Sequence, residues 1–297
     1  MWTVLLTSVM LAQAPAAQPS PQPDPHAGHA MPAPTPQAAP APRDANLPPS
    51  EPQGEAVVKA SPRHGEFVDI KTASGTPIRT WVVYPERKDK AGVVIVIFDV
   101  HGLGFWIRGV ADQLAKEGFI ALVPDLISGM GPNGGGSDTA ANDDEMVKLV
   151  RALERPEAVT RLNAIRDYAT KIPSANGKTA TLGFCWGGGT SFAYAVAQPA
   201  LDAAVVFYGA APETAADLAK IKAPVLGLYG SDDARVNVTI PPAEAEMKKL
   251  GKTFEVHTYE GAGHGFLRTQ DGRDGANYKA TQQAWPRVLA FLREHLK

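Results

Sequence analysis

The residues of this chain best equipped for covalent chemistry are one cysteine, two adjacent aspartates and one histidine. Cys185 is the only cysteine among 297 residues and sits in Gly183-Phe184-Cys185-Trp186-Gly187-Gly188-Gly189, a G-x-C-x-G arrangement. A strand-like run at 178–182 leads in and a helix-compatible run at 191–197 leads out. That spacing predicts a sharp strand-to-helix turn with a nucleophile at its tip and glycines where side chains would clash. The first N–H groups of a helix carry partial positive charge, which favours a thiolate and can hold a developing oxyanion. A lone cysteine can equally be a small buried hydrophobe, so the motif alone leaves two readings. The run fits neither a dinucleotide fingerprint, because Cys185 falls where the second glycine belongs, nor a phosphate loop, because no lysine ends it.

A thiol with an ordinary pKa of about 8.5 is mostly protonated at neutral pH, so its use as a nucleophile calls for a base. His264, in Glu260-Gly261-Ala262-Gly263-His264-Gly265-Phe266, can be that base. An acid behind the imidazole fixes its tautomer, and Gly230-Ser231-Asp232-Asp233-Ala234-Arg235-Val236 offers two. Asp233 is favoured because it completes Asp-x-x-Val before the next turn, with Asp232 as the alternative. His257 lies inside a strand-like run and His101 in a different loop, which makes both weaker candidates for the base. The chain order is therefore nucleophile, acid, histidine, with separations of 48 and 31 residues.

These residues must be positioned by strand ends, and the hydrophobic pattern supplies them. Residues 66–71 and 78–85 alternate around a turn at 73–76, as a hairpin does. The run 92–98, GVVIVIF, is continuously apolar, as expected of a parallel strand buried on both faces. A helical stretch at 107–117, stopped by Gly118, precedes a strand at 119–124 and a Gly/Ser/Asn-rich loop at 125–142. Residues 143–168 read as helix interrupted near Pro156. Strands follow at 203–208, 223–229 and 253–259, with helices at 241–250 and 278–295. The pattern predicts an α/β fold, a doubly wound, mostly parallel sheet with an N-terminal antiparallel hairpin. In such sheets ligands bind beyond the carboxyl ends of the strands. Phe105, Trp106, Tyr208 and Phe266 fall at strand-end loops, where they either line a substrate pocket or pack in the core.

Composition is that of a globular protein, with 44% hydrophobic and 20% charged residues and a formal net charge of −2. The absence of a long basic run argues against nucleic acid or an anionic membrane surface as partner. A small molecule is the expected partner and a monomer the expected state. One cysteine excludes an intramolecular disulfide. Residues 1–14 are apolar and end in Ala12-Gln13-Ala14, which reads as a signal peptide for export to the periplasm or beyond, too short to span a bilayer. Residues 15–54 hold 13 of the 26 prolines and read as a disordered linker. Within it His26, His29 and Met31 could bind copper, against the simpler reading of a solvated tail. The folded domain is expected over 55–297.

Taken together, these motifs resemble the dienelactone hydrolase family, the cysteine-nucleophile branch of the α/β-hydrolases, over about residues 66–296. The most specific parts are Gly183-Phe184-Cys185-Trp186-Gly187-Gly188, the run from Ala115-Lys116-Glu117-Gly118-Phe119 to Pro124-Asp125-Leu126, and Gly263-His264-Gly265-Phe266. The resemblance implies an α/β-hydrolase fold with Cys185 as nucleophile, His264 as base and Asp233 as its acid. It implies that the backbone N–H groups of Trp186 and Val100 form the oxyanion hole. It also places Asp99, in Phe98-Asp99-Val100-His101-Gly102, where the family has a glutamate that holds the resting thiol, one methylene shorter. Arg268 matches an arginine that contacts a substrate carboxylate. The implied activity is hydrolysis of an ester or lactone through a thioester, with no metal or cofactor. A carboxylesterase or acyl-peptide hydrolase of other specificity is the alternative enzyme; a non-catalytic envelope binding or metal-carrier protein is the alternative of another class.

Overall fold

In the computed structural model, residues 44–297 are described. The stretch read as a signal peptide, most of the expected linker and the His26/His29/Met31 patch lie outside the described residues. In chain order the regular elements are α1 (Gly54–Ala60), β1 (Gly65–Lys71), β2 (Pro77–Val83), β3 (Ala91–Ile97), α2 (Phe105–Lys116) and β4 (Ile120–Pro124). There follow α3 (Asp143–Ala152), α4 (Arg155–Ala169), β5 (Ala175–Phe184), α5 (Trp186–Ala197), β6 (Ala203–Phe207) and α6 (Ala215–Lys220). The domain closes with β7 (Val225–Asp232), α7 (Ala234–Asn237), α8 (Ile240–Lys249), β8 (Phe254–Gly263) and α9 (Ala276–His295).

The apolar run at 92–98 behaves as its composition requires: every residue of β3 is buried. A strand buried on both faces must lie inside the sheet, and the strand order β1-β2-β4-β3-β5-β6-β7-β8 puts it there. β1 pairs antiparallel with β2, and β2 antiparallel with β4. All later pairings are parallel. From β3 the chain crosses through α2 to β4 on one side, then returns through α4 to β5 on the other. Every later crossover continues in that second direction. Because parallel crossovers are right-handed, reversing direction puts α2 on the opposite face from α4, α5, α6 and α8. The reversal leaves a crevice beyond the carboxyl ends of β3 and β5, the place where doubly wound sheets bind ligands.

Local chemistry sets the helix boundaries near that crevice. The Asn142 side chain accepts from the Glu145 N–H at 3.0 Å and caps α3. The long helical stretch divides at Leu153 and Glu154 because Pro156, which has no N–H, is tolerated only in the first turn of α4.

Packed structure extends N-terminally past the expected boundary at 55: residues 44–53, read as linker, lie against the folded body. Leu47 and Ser50 are buried. The carbonyls of Pro48 and Pro49 accept from Gln270 Nε2 at 3.0 Å and Trp106 Nε1 at 3.1 Å. Proline-rich backbone offers few donors of its own, so it needs such side-chain partners to be buried. Residues 44–53 thus form a strap over α2 and the loop after β8, ending in a 3-10 turn at Glu51–Gln53.

Candidate active site

Cys185 sits between β5 and α5 with φ 54° and ψ −115°, a conformation costly for a residue with a β-carbon. The chain is held in it by crowding. A Cβ on Gly183 would lie 2.0 Å from the Gly187 carbonyl oxygen, and one on Gly187 would lie 2.2 Å from that of Phe98. Only glycine lets the turn close this tightly against β3. The Cys185 N–H donates to the Phe207 carbonyl of β6 at 3.1 Å, which anchors the tip from the other side. Trp186, as the first residue of α5, presents an N–H with no partner inside the helix. Val100, Cys185 and Trp186 line one cavity of about 380 Å3.

Asp233 and His264 come from the ends of the next two strands, as the loop positions require. Asp233 is buried, and its Oδ2 lies 2.6 Å from His264 Nδ1. That bond leaves Nε2 as the imidazole nitrogen available to the thiol. Burial opposes the imidazolium, but the Asp233 hydrogen bond and the Cys185 sulfur outweigh it and push the His264 pKa up to about 9. The alternatives are placed elsewhere. Asp232 pairs with Arg273, and His257 Nε2 lies 2.5 Å from Glu255 on the edge strand β8.

Asp99 and Arg268 are also together, and with each other. Arg268 Nη1 donates to both Asp99 carboxylate oxygens, at 3.0 and 2.8 Å. Asp99 Oδ1 also accepts from the His101 N–H at 2.9 Å, so the carboxylate braces the turn that contains Val100. The other edge of the guanidinium is taken by Glu51, with Nε donating to Oε2 at 2.9 Å and Nη2 to Oε1. The fork expected to meet a substrate carboxylate therefore holds two carboxylates of the chain itself. The Arg268 Cζ lies 5.3 Å from the centre of the Trp106 ring, a cation–π contact that steadies it.

Tyr208 joins the two groups. It has a φ of 38°, is 1% exposed, and its hydroxyl is buried without a hydrogen-bond partner among the described residues. Its ring lies 5.1 Å from that of His264. Burial above all, and then the charges of Asp99 and Cys185, hold its phenol well above the ordinary range, while Arg268 opposes them. One buried hydroxyl thus feels the nucleophile and the Asp99–Arg268 pair together. Phe266 is fully buried against Tyr208 and Phe207 and belongs to the core.

Phe105 and Trp106 are not on the Cys185 cavity. α2 starts two residues earlier than the pattern at 107–117 indicates, which puts both in its first turn. Trp106 is buried edge-on against Phe184 beneath the strap, and Phe105 is 39% exposed beside Arg108. The side chains that do border the cavity include Arg151, Arg155 and Arg235. Arg155 Nη1 donates to Thr190 Oγ1 at 2.9 Å, and burial lowers its pKa. Through Arg155, Gly189 and Ala210 this cavity adjoins a larger one of about 740 Å3. Glu51 escaped the sequence reading because its surroundings are compositionally linker. The one usable signal was Ser50-x-x-Gln53, whose capping contact forms at 3.2 Å between the Ser50 N–H and Gln53 Oε1.

The chain and its fold have known counterparts. The model of the dienelactone hydrolase family matches residues 78–296. A provisionally named carboxymethylenebutenolidase of Saccharolobus solfataricus is 32% identical over 250 residues, covering 74% of this chain and 95% of that protein. Among solved structures, a provisionally named dienelactone hydrolase from Klebsiella pneumoniae superposes with a TM-score of 0.68 at 25% identity, over 78% of this chain and 98% of its own. A dienelactone hydrolase-like promiscuous phosphotriesterase from metagenomic libraries gives 0.67 at 25% identity, over 79% and 99%. The expected α/β fold and family resemblance are borne out: this chain is an α/β hydrolase and belongs to the dienelactone hydrolase family.

Proposed function

We propose that the protein hydrolyses carboxylic esters or lactones through a thioester on Cys185, with His264 and Asp233 completing a triad. The observation that carries this reading is the 2.6 Å Asp233–His264 contact, which turns the free imidazole nitrogen toward a thiol at a helix N-terminus. Asp233 and Cys185 favour the imidazolium, so the charged pair of thiolate and imidazolium is the reactive form. The sulfur attacks the carbonyl carbon and the carbonyl π electrons move to oxygen. The Trp186 and Val100 N–H groups hold that oxyanion in this reading. As it collapses, the C–O bond to the leaving group breaks and His264 gives its Nε2 proton to the departing alkoxide. A water then loses a proton to Nε2 and attacks the thioester, which releases the acid and regenerates the thiolate.

The test is Cys185→Ala, assayed with nitrophenyl acetate, beside mass spectrometry of the wild type quenched during turnover. The expected result is a loss of about 10⁴-fold or more in kcat and an acyl adduct on the peptide containing Cys185. Retained turnover in the variant would overturn the mechanism.

A further inference from the structure

Arginine recognises a carboxylate through two parallel N–H donors, a geometry specific enough to serve as a substrate clamp. In this chain one such face of Arg268 is filled from within. Glu51 takes Nε and Nη2, while Asp99 takes Nη1. The backbone fixes the arrangement, because the Glu51 N–H donates to the Arg268 carbonyl at 2.9 Å. Trp106, which lies against the guanidinium, donates to the Pro49 carbonyl two residues before Glu51. The strap thus presents its carboxylate to Arg268 as a ligand would. Glu51 lies outside residues 78–296, where the family model matches. Two carboxylates around one guanidinium leave this side of the site with a net negative charge. A third carboxylate would have to displace one of them or sit against them unpaired.

We infer that Glu51 is a specificity-determining residue, an internal carboxylate seated in the Arg268 fork that makes this enzyme select esters or lactones uncharged at that end. The inference rests on the hydrolase reading for its substrates, and for its relevance to the site on Asp99, which holds Arg268 and also braces the turn of Val100 that lines the Cys185 cavity. Glu51 is the more exposed partner, with 49% of its side chain open against 12% for Arg268. Its removal therefore opens a face of the arginine without excavating the core.

The experiment compares wild type, Glu51→Gln, Glu51→Asp and Glu51→Gln/Arg268→Gln on two nitrophenyl esters of equal chain length, a valerate and a hemiglutarate carrying a free carboxylate. The expected result is a rise on the order of tenfold in the charged-to-neutral ratio of kcat/KM for Glu51→Gln, entering through a lower KM for the hemiglutarate. Glu51→Asp, which keeps the charge, should stay nearer wild type, and the double variant should lose the gain. An unchanged ratio in Glu51→Gln overturns the inference while leaving the hydrolase reading intact. Calorimetric titration with glutarate on the Cys185→Ala background gives a readout without turnover. Binding that appears only when Glu51 is replaced supports the internal ligand, and equal binding with or without the substitution refutes it. If no ester is turned over by wild type, the hydrolase reading fails and this titration still decides the role of Glu51. Should Glu51→Gln melt below the assay temperature, Glu51→Ala takes its place.

Discussion

Asp233 and Asp99 are both buried carboxylates just beyond the carboxyl ends of parallel strands, and each is paired with one cation. They differ in what that cation can do. His264, although raised to about 9, can still give up its proton within the accessible range, so in the proposed triad Asp233 would set when and where that proton moves. Arg268 stays charged across the whole accessible range, so Asp99 and Glu51 set only where it points. On the proposed mechanism the two sides of one crevice use the same functional group, one for proton transfer and the other for shape and charge. The nature of the partner, more than the depth of the carboxylate, decides the role.

The largest effect that can break this comparison is on rate. Asp233→Asn should lower kcat by about 10³–10⁴-fold in steady-state assays, because the imidazole loses both its orientation and its charge partner. An equal loss in Asp99→Asn would erase the distinction between the two carboxylates.

The pH profile sharpens the same point. His264 is raised to about 9, so the imidazolium proposed to protonate the leaving group persists until the pH passes through that value, and kcat/KM should fall above about pH 9. In Asp233→Asn that limb should move down toward the ordinary histidine value of about 6.5. The sign for stability follows from the same shift. A raised histidine pKa contributes stability that is full below about 6.5 and is lost as the pH rises through about 9. Urea titrations at pH 6 and pH 9.5 should show that loss in wild type and little of it in His264→Gln.

On the other side the expected effects are on stability. Asp99→Asn leaves one nitrogen of a largely buried guanidinium without its anion and should cost about 3 kcal/mol in urea unfolding, with no movement of the alkaline limb. The smallest effect is expected at the strap: Trp106→Phe removes the bond to the Pro49 carbonyl and should cost about 1 kcal/mol. Faster proteolysis before Gly54 in that variant would show that the strap is the part loosened.

Legibility followed the range of the signals. β3 was readable because a strand buried on both faces leaves a continuous apolar run, and the elbow because its close approaches tolerate only glycine. Cys185, Asp233 and His264 each follow a strand end, so local pattern is enough to propose them; Asp-x-x-Val favours Asp233 over Asp232, and in the structure Asp233 meets His264 while Asp232 meets Arg273. Phe105 and Trp106 were misplaced by the start of α2, where helix boundaries carry the weakest local signal.

The succession of strands and helices, the turn that strains Cys185 and the candidate acid-histidine pair were open to reading from residue pattern alone, because they rest on backbone preference and hydrophobic period. Only the tertiary structure decided that Arg268 faces inward onto Asp99 and Glu51. That pairing joins residues separated by 169 and 217 positions, and it depends on a proline-rich strap whose carbonyls find donors only once α2 and the loop after β8 are in place.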